Sequence, residues 1–177
     1  MSNLSPENKG LFDRFGRRKH RPKDPGSASE ANPAVQVIYD DLMKATFGPA
    51  LRRAGLKGSG GRFDLPSERY WAQLGFQKSA YSDSAQLKFT VNLSVIDREV
   101  WKSQASSKPY LGDKPTPSTH YGHWADQVRI GQLMPNGEDH WWSLRRGEDA
   151  TGVSDEVTSA LTRFAVPWLV LKSADQS

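Results

Sequence analysis

Four histidines occur in the chain: His20, His120, His123 and His140. His120-x-x-His123-x-x-Asp126 has the spacing that lines three ligands along one face of a helix. Asp139 or His140 would complete a metal shell of imidazole and carboxylate. The metal-ligand candidates are thus His120, His123 and His140. The set His123, Asp126 and His140 would equally serve a hydrolase-like enzyme as acid–base groups, with or without a metal. His-x-x-His is not a sharp motif, however. The segment adjoins a Pro-rich stretch, and a polar loop entering a strand explains the same spacing. No serine stands in a Gly-x-Ser-x-Gly elbow. Asp40-Asp41 and Glu138-Asp139 read as solvated carboxylates on a helix face and in a turn. The chain has no cysteine, which excludes thiol catalysis, disulfides and cysteine-held metals. No cofactor is expected, and the balance leans away from an enzyme.

A second set of polar residues points to recognition. Gln77, Asn92, Arg129, Trp141 and Arg145 fall on strand-like segments at positions that share one face of a sheet. Amides and guanidinium groups fix orientation, and a flat indole supplies contact area. The ordinary alternative is a solvated sheet face. The Gly-rich run Gly55-Leu56-Lys57-Gly58-Ser59-Gly60-Gly61 invites a phosphate-loop reading. Its order is Lys-Gly-Ser after a helix, whereas a P-loop needs Gly-Lys-Ser/Thr opening one. A helix stop and turn into a strand is the better reading.

The elements that would position these groups follow from periodicity. Asn32-Pro33 caps a helix carrying Val35, Ile38, Leu42 and Ala45. Gly48-Pro49 should kink or split it before Leu51 and Ala54. Strands are expected at Arg62–Leu65, Tyr70–Lys78 and Leu87–Ile96. In the last, Leu87, Phe89, Val91, Leu93 and Val95 alternate with Lys88, Thr90, Asn92 and Ser94, the pattern of a sheet with one face on the core. Asp97 caps a short helix with Val100 and Trp101. Residues 105–119, rich in proline, form a loop with mobility or a surface role. Gln127–Leu133 and His140–Arg145 flank Asn136-Gly137, a hairpin signal. Within GEDHWWSL, adjacent strand residues face opposite ways. Trp142 and Leu144 therefore belong to the core, and Trp141 shares the other face with Ser143 and Arg145. A final helix runs from a Ser154 cap through Val157, Ala160, Leu161 and Phe164 and ends at Pro167. The expected class is α+β: an antiparallel sheet of about five strands with helices packed on one face.

The net charge of +4 is unevenly spread. Residues 1–32 hold seven Lys/Arg against four acids, or +3; the rest holds seventeen against sixteen, or +1. Three regions follow: a flexible, disordered basic tail (1–32), a single domain (33–172) and a short C-terminal tail (173–177). Leu11, Phe12 and Phe15 beside Arg14, Arg17, Arg18, Lys19 and Arg21 offer a short contact for an anionic membrane surface or a nucleic acid. A solvated tail is the plainer reading. The longest mostly apolar run, Phe164 to Leu171, is far shorter than the roughly 18–20 residues of a membrane span, and the N-terminus lacks an apolar signal stretch. A cytoplasmic location is expected.

An ordered series of landmarks resembles one family. It comprises Phe47-Gly48-Pro49-Ala50-Leu51, Gly55-Leu56-Lys57, Gly60-Gly61-Arg62-Phe63, Phe76-Gln77-Lys78-Ser79 and Phe89-Thr90-Val91-Asn92-Leu93. His123-Trp124, Arg129-Ile130-Gly131-Gln132-Leu133, Trp141-Trp142 and Pro167-Trp168-Leu169 complete it. The chain is similar in this to the mainly bacterial family called domain of unknown function 4304, over residues 34–170. The resemblance implies a compact α+β fold and no particular activity.

The leading reading is a non-enzymatic module that binds a protein or small-molecule partner on the polar–aromatic sheet face or against the 105–119 loop. An immunity-like or conflict-system accessory is one such role. The alternatives are the His/Asp hydrolase and an adaptor working through the basic tail.

Overall fold

A computed structural model describes residues 33–174. The basic N-terminal segment, its Leu11/Phe12/Phe15 cluster and the Asn32 cap lie outside the described residues. The element order is α1 (Val35–Leu42), a π-helical stretch (Met43–Phe47), α2 (Gly48–Arg53), β1 (Lys57–Ser59), β2 (Arg62–Leu65), β3 (Tyr70–Lys78), β4 (Gln86–Asp97), α3 (Arg98–Ser107), β5 (Asp126–Arg129), β6 (Trp142–Arg145), α4 (Thr151–Ala160), a second π-helical stretch (Leu161–Ala165) and α5 (Val166–Ser173). Short 3-10 turns occupy Pro109–Leu111 and Ile130–Leu133. The expected α+β class holds. One antiparallel sheet of six strands carries the fold, in the order β1-β2-β3-β4-β5, with β6 also on β4. β1, absent from the sequence expectation, pairs with β2 across the Gly60-Gly61 turn.

Both prolines expected to interrupt helices are accommodated. A proline lacks the N–H for its i−4 bond, and its ring crowds the carbonyl four residues back. In each case the turn before it widens to π geometry: Met43–Phe47 ahead of Pro49, and Leu161–Ala165 ahead of Pro167. Gly48-Pro49 therefore does not split the first helix. Pro167 does not end the last one, which continues to Ser173 and buries Leu169. That helix also begins before Ser154, at Thr151. The N-cap position is Ala150, and the Asp149 carboxylate just before it accepts from the Thr151 N–H (3.1 Å) and Oγ1 (2.8 Å).

The core lies between the sheet and the α1–α2 and α4–α5 layer. Val35, Tyr39, Met43 and Phe47 form its i, i+4 row on the first helix. They meet Leu87, Phe89, Val91 and Leu93 of β4, the face that alternation predicts. Phe89 sits at the centre, with ring centroids 5.2 Å from Tyr39, 5.8 Å from Trp142 and 6.2 Å from Phe76.

The expected Gln127–Leu133/His140–Arg145 hairpin does not form. β5 and β6 do not pair with each other; both run antiparallel to β4 along the same edge. Arg129 pairs with Asn92, and Trp142 with Phe89. They are two halves of one interrupted strand, and residues 130–141 make an excursion between them. The Asn136-Gly137 turn exists within it, with the Gly137 N–H bonded to the Met134 carbonyl at 2.9 Å. It closes a local loop rather than a two-stranded ladder, because Ile130 is drawn into the core instead of continuing along a partner strand.

The other face of the sheet is covered as well. α3 and residues 108–125 lie over it. Trp101, Tyr121 and Trp124 form a second aromatic cluster with centroids 5.1–5.9 Å apart. Pro117 packs on Gly75, where a Cβ would stand 2.5 Å from the proline Cγ. Thr90 and Ser94 have no exposure at all, and Gln73 retains 4%. The open polar face read from the sequence is therefore corrected: most of it lies beneath the proline-rich loop.

Gly131 closes the excursion. A Cβ there would meet the Glu138 carbonyl oxygen at 2.2 Å and the His140 nitrogen at 2.5 Å, both backbone atoms that cannot swing away. Gly131→Ala should lower stability by about 1–3 kcal/mol or more through overpacking. Gly152→Ala, which meets nothing within 4 Å on exposed α4, should raise it by up to about 1 kcal/mol. Urea denaturation midpoints of the two variants check both signs.

Candidate functional site

One strip of the second face stays open, where β3, β4 and β5 meet the end of the covering loop. It forms a cleft of about 570 Å3 lined by Gln77, Asn92, Ser118, His120, Arg129 and Asp139, among others. Register places the first groups together: Gln77 lies diagonal to Asn92 across β3–β4, and Arg129 lies directly opposite Asn92 across β4–β5.

Asn92 is the hub. Its Nδ2 donates to Gln77 Oε1 (2.7 Å) and to Ser118 Oγ (3.2 Å), and its Oδ1 accepts from Arg129 Nε (3.3 Å). Arg129 Nη1 donates to both Asp139 oxygens, at 2.9 and 2.8 Å. Asp139 Oδ2 also accepts from Trp141 Nε1 at 2.9 Å. The Arg129 guanidinium lies 5.3 Å from the centre of the Trp141 ring. The loop wall is tied down by Gln127: its Oε1 accepts from the Tyr121 N–H (2.8 Å), and its Nε2 donates to the Thr119 carbonyl (2.6 Å).

Partial burial pushes the Asp139 carboxyl upward. The hydrogen bonds from Arg129 and Trp141, with the charges of Arg129 and His140, outweigh this and leave it below the usual carboxylate range. Asp139 is thus an anion at neutral pH, locked to the guanidinium. Among the described residues, Arg129 Nη2 and Gln77 Nε2 have no partner, so the cleft keeps spare donors.

A family model described as Domain of unknown function (DUF4304) matches residues 47–171, well over half of the chain. The chain belongs to the DUF4304 family. No curated protein and no solved structure matches it. The DUF4304 match takes in every residue of the network, from Gln77 to Trp141.

Of the five binding residues read from the sequence, four converge in this DUF4304 protein: Gln77, Asn92, Arg129 and Trp141. Trp142 is buried and Trp141 faces the cleft side, as strand alternation requires. Arg145 does not join them. It pairs in register with Gln86 at the far end of β4 and makes an exposed contact with Glu148 at 3.7 Å. Asp139 and Ser118 were not foreseen as parts of this network. Each reaches it through a loop, and no spacing signal marks that approach.

The metal and hydrolase candidates are dispersed. His123 and Asp126 line a different depression beside Tyr70 and Lys172, with Asp126 3.4 Å from Lys172. His140 stacks edge-on against Trp142 at 4.8 Å. Asp126 pairs with Val95 and Trp142 with Phe89, six residues apart on β4, or roughly 20 Å at about 3.3 Å per residue. Of His120, His123 and His140, only His120 lines the Arg129 cleft, where Asp139 is already held by Arg129. The helix that would have aligned His120, His123 and Asp126 does not form; Asp126 opens β5 instead. Among the described residues no group of three His, Asp or Glu side chains is placed to hold a metal ion, and no helix is long and apolar enough to cross a membrane.

A depressed folded-state pKa gives a contribution that is full above the unfolded value of about 3.9 and lost as pH falls through the lower folded value. Asp139→Asn should therefore be less stable than the parent at pH 7. The gap should narrow as pH falls below about 4, as paired denaturation curves on the acid side will read.

Proposed function

We propose that this DUF4304 protein is a non-enzymatic binding module that holds an oxygen-rich group of a protein or small-molecule partner in the Gln77–Asn92–Arg129 cleft. One observation carries the reading. A fixed chain of side-chain hydrogen bonds leaves Arg129 Nη2 and Gln77 Nε2 as unused donors on the wall of a cleft of about 570 Å3. Oriented donors with no acceptor of their own suit carboxylate, amide or phosphate oxygens of a ligand. The volume falls in the ordinary range of ligand pockets. Asn92 is 8% exposed and touches three neighbours. Its task is to position the two donors rather than to meet the partner.

The same geometry supports binding rather than turnover. Asp139 is held as a carboxylate by two donors and offers no proton at neutral pH. His120 lies on the exposed rim, and among the described residues it forms no ion pair with an acid that would orient its ring.

Affinity capture from the native host, with parent, Gln77→Ala and Arg129→Ala proteins immobilised in parallel, tests the proposal. A partner held by the parent should be retained at least about tenfold less well by either variant, the effect of one charge-assisted or buried hydrogen bond. Retention that is equal on all three folded proteins would rule the cleft out.

A further inference from the structure

The β1–β2 turn meets the first helix at a second cavity, of about 460 Å3, on the opposite side of the sheet. Its floor is apolar: Met43, Phe63 and Phe76, of which Phe63 is 1% and Met43 7% exposed. Its rim is cationic. Lys44, Arg52 and Lys78 all line it, and Asp40 is the one acid there. Asp40 already accepts from Gln36 Nε2 at 2.8 Å. Among the described residues neither Lys44 nor Lys78 forms an ion pair. Lys78 is held instead over the Tyr39 ring, 4.5 Å from its centre. Arg52 Nη1 reaches the Gly58 carbonyl at 3.3 Å.

Tyr39 is the telling group. It is 4% exposed, it lines the cavity, and among the described residues its hydroxyl has no hydrogen-bond partner. Burial, reinforced by the charge of Asp40, pushes its pKa well above the ordinary tyrosine value, so the group stays protonated and able to donate. The hydroxyl oxygen itself is not sealed off: it opens onto the cavity, where a ligand oxygen could accept from it. The wall facing it is the Gly60-Gly61 turn, whose φ values of 60° and 84° are those of a type I′ hairpin. A Cβ at Gly61 would stand 4.0 Å from the Tyr39 hydroxyl and from Met43 Cε, so a side chain there would enter the cavity. Lys44 and Met43 belong to the π-helical stretch, a distortion often found at functional sites.

The geometry points to a second binding site here, for a small amphipathic anion: an apolar body seated on Met43, Phe63 and Phe76, with a carboxylate or phosphate head held by the Tyr39 hydroxyl, Lys44 and Lys78. It is separate from the Arg129 cleft and does not rest on that cleft's role. An apolar floor alone would take any hydrophobic molecule, and a cationic rim alone any anion. The two together, with the Tyr39 hydroxyl opening between them, select a ligand that has both parts.

Titrations followed by the backbone amide signals of Gly60, Gly61 and Lys78 test this with four probes: phenyl phosphate, phenylacetate, inorganic phosphate and benzyl alcohol. At least one of the first two should give saturable shifts confined to these signals, at least about tenfold tighter than inorganic phosphate or benzyl alcohol. Which of the two binds better identifies the head group. The double variant Lys44→Gln/Lys78→Gln, changed only at exposed side chains, should bind about tenfold more weakly with its melting temperature retained, and Tyr39→Phe several-fold more weakly. Absence of saturable shifts with both amphipathic anions would overturn the proposal. So would equal binding of benzyl alcohol or of inorganic phosphate, or affinity unchanged in the double variant.

Discussion

β4 has one edge paired with β3 from Phe89 to Asp97 and another that no single strand covers. Residues 92–95 pair with β5 and residues 86–89 with β6, and between them the chain leaves the sheet for the whole of residues 130–141. An unpaired sheet edge exposes a row of N–H and C=O groups, so both short strands must stay aligned on the same line. That alignment brings Arg129 and Trp141 together. Arg129 faces Asn92, and Trp141 precedes the partner of Phe89, so both fall on the non-core face within two β4 residues of each other. Asp139, near the end of the excursion, then arrives within reach of the guanidinium. The cleft network is a by-product of how one strand edge is satisfied.

The energetics of that network fit positioning better than stability. The Arg129–Asp139 pair is half exposed, with 34% and 52% of the two side chains accessible, and exposed ion pairs contribute at most about 1 kcal/mol. Aromatic burial around Phe89 is worth several times more, since truncating a buried Phe typically costs about 3–5 kcal/mol. What the network supplies is geometry. The guanidinium is fixed from three sides, by Asn92, Asp139 and Trp141, and its remaining donor points where a ligand could use it. The loop covering the sheet serves the same end: Pro117 on Gly75 and Gln127 on the 119–121 backbone hold Ser118 and His120 at the rim.

The two proline-bearing helices are parallel solutions to one constraint. Each needs a hydrophobic face longer than a proline would ordinarily permit, and each widens the preceding turn rather than stopping. At Met43–Phe47 the wider turn also lines the Tyr39 cavity. A local backbone accommodation and a candidate ligand site therefore share Met43 and Lys44.

Alternation and capping were legible from residue types alone. The 87–96 pattern settles which face of β4 enters the core, because successive strand side chains must point apart. The same rule separates Trp141 from Trp142, and the Asp97 carboxylate caps α3 through the Glu99 and Val100 amides. Gln77, Asn92 and Arg129 were likewise placed on one face by parity. Strand parity cannot say who pairs with whom. The Asn-Gly turn looked like a hairpin because a turn is a local event. Whether the flanking strands pair with each other or with a third strand depends on which edge of β4 stands open, and on Ile130 gaining more by burial than by extending a ladder. Cover is equally non-local: Thr90 and Ser94 have no exposure, and nothing in their own strand signals the segments that lie over this face. Periodicity is written residue by residue and survives in the sequence; edges, roofs and clefts exist only once distant segments have met, so tertiary structure alone decided them.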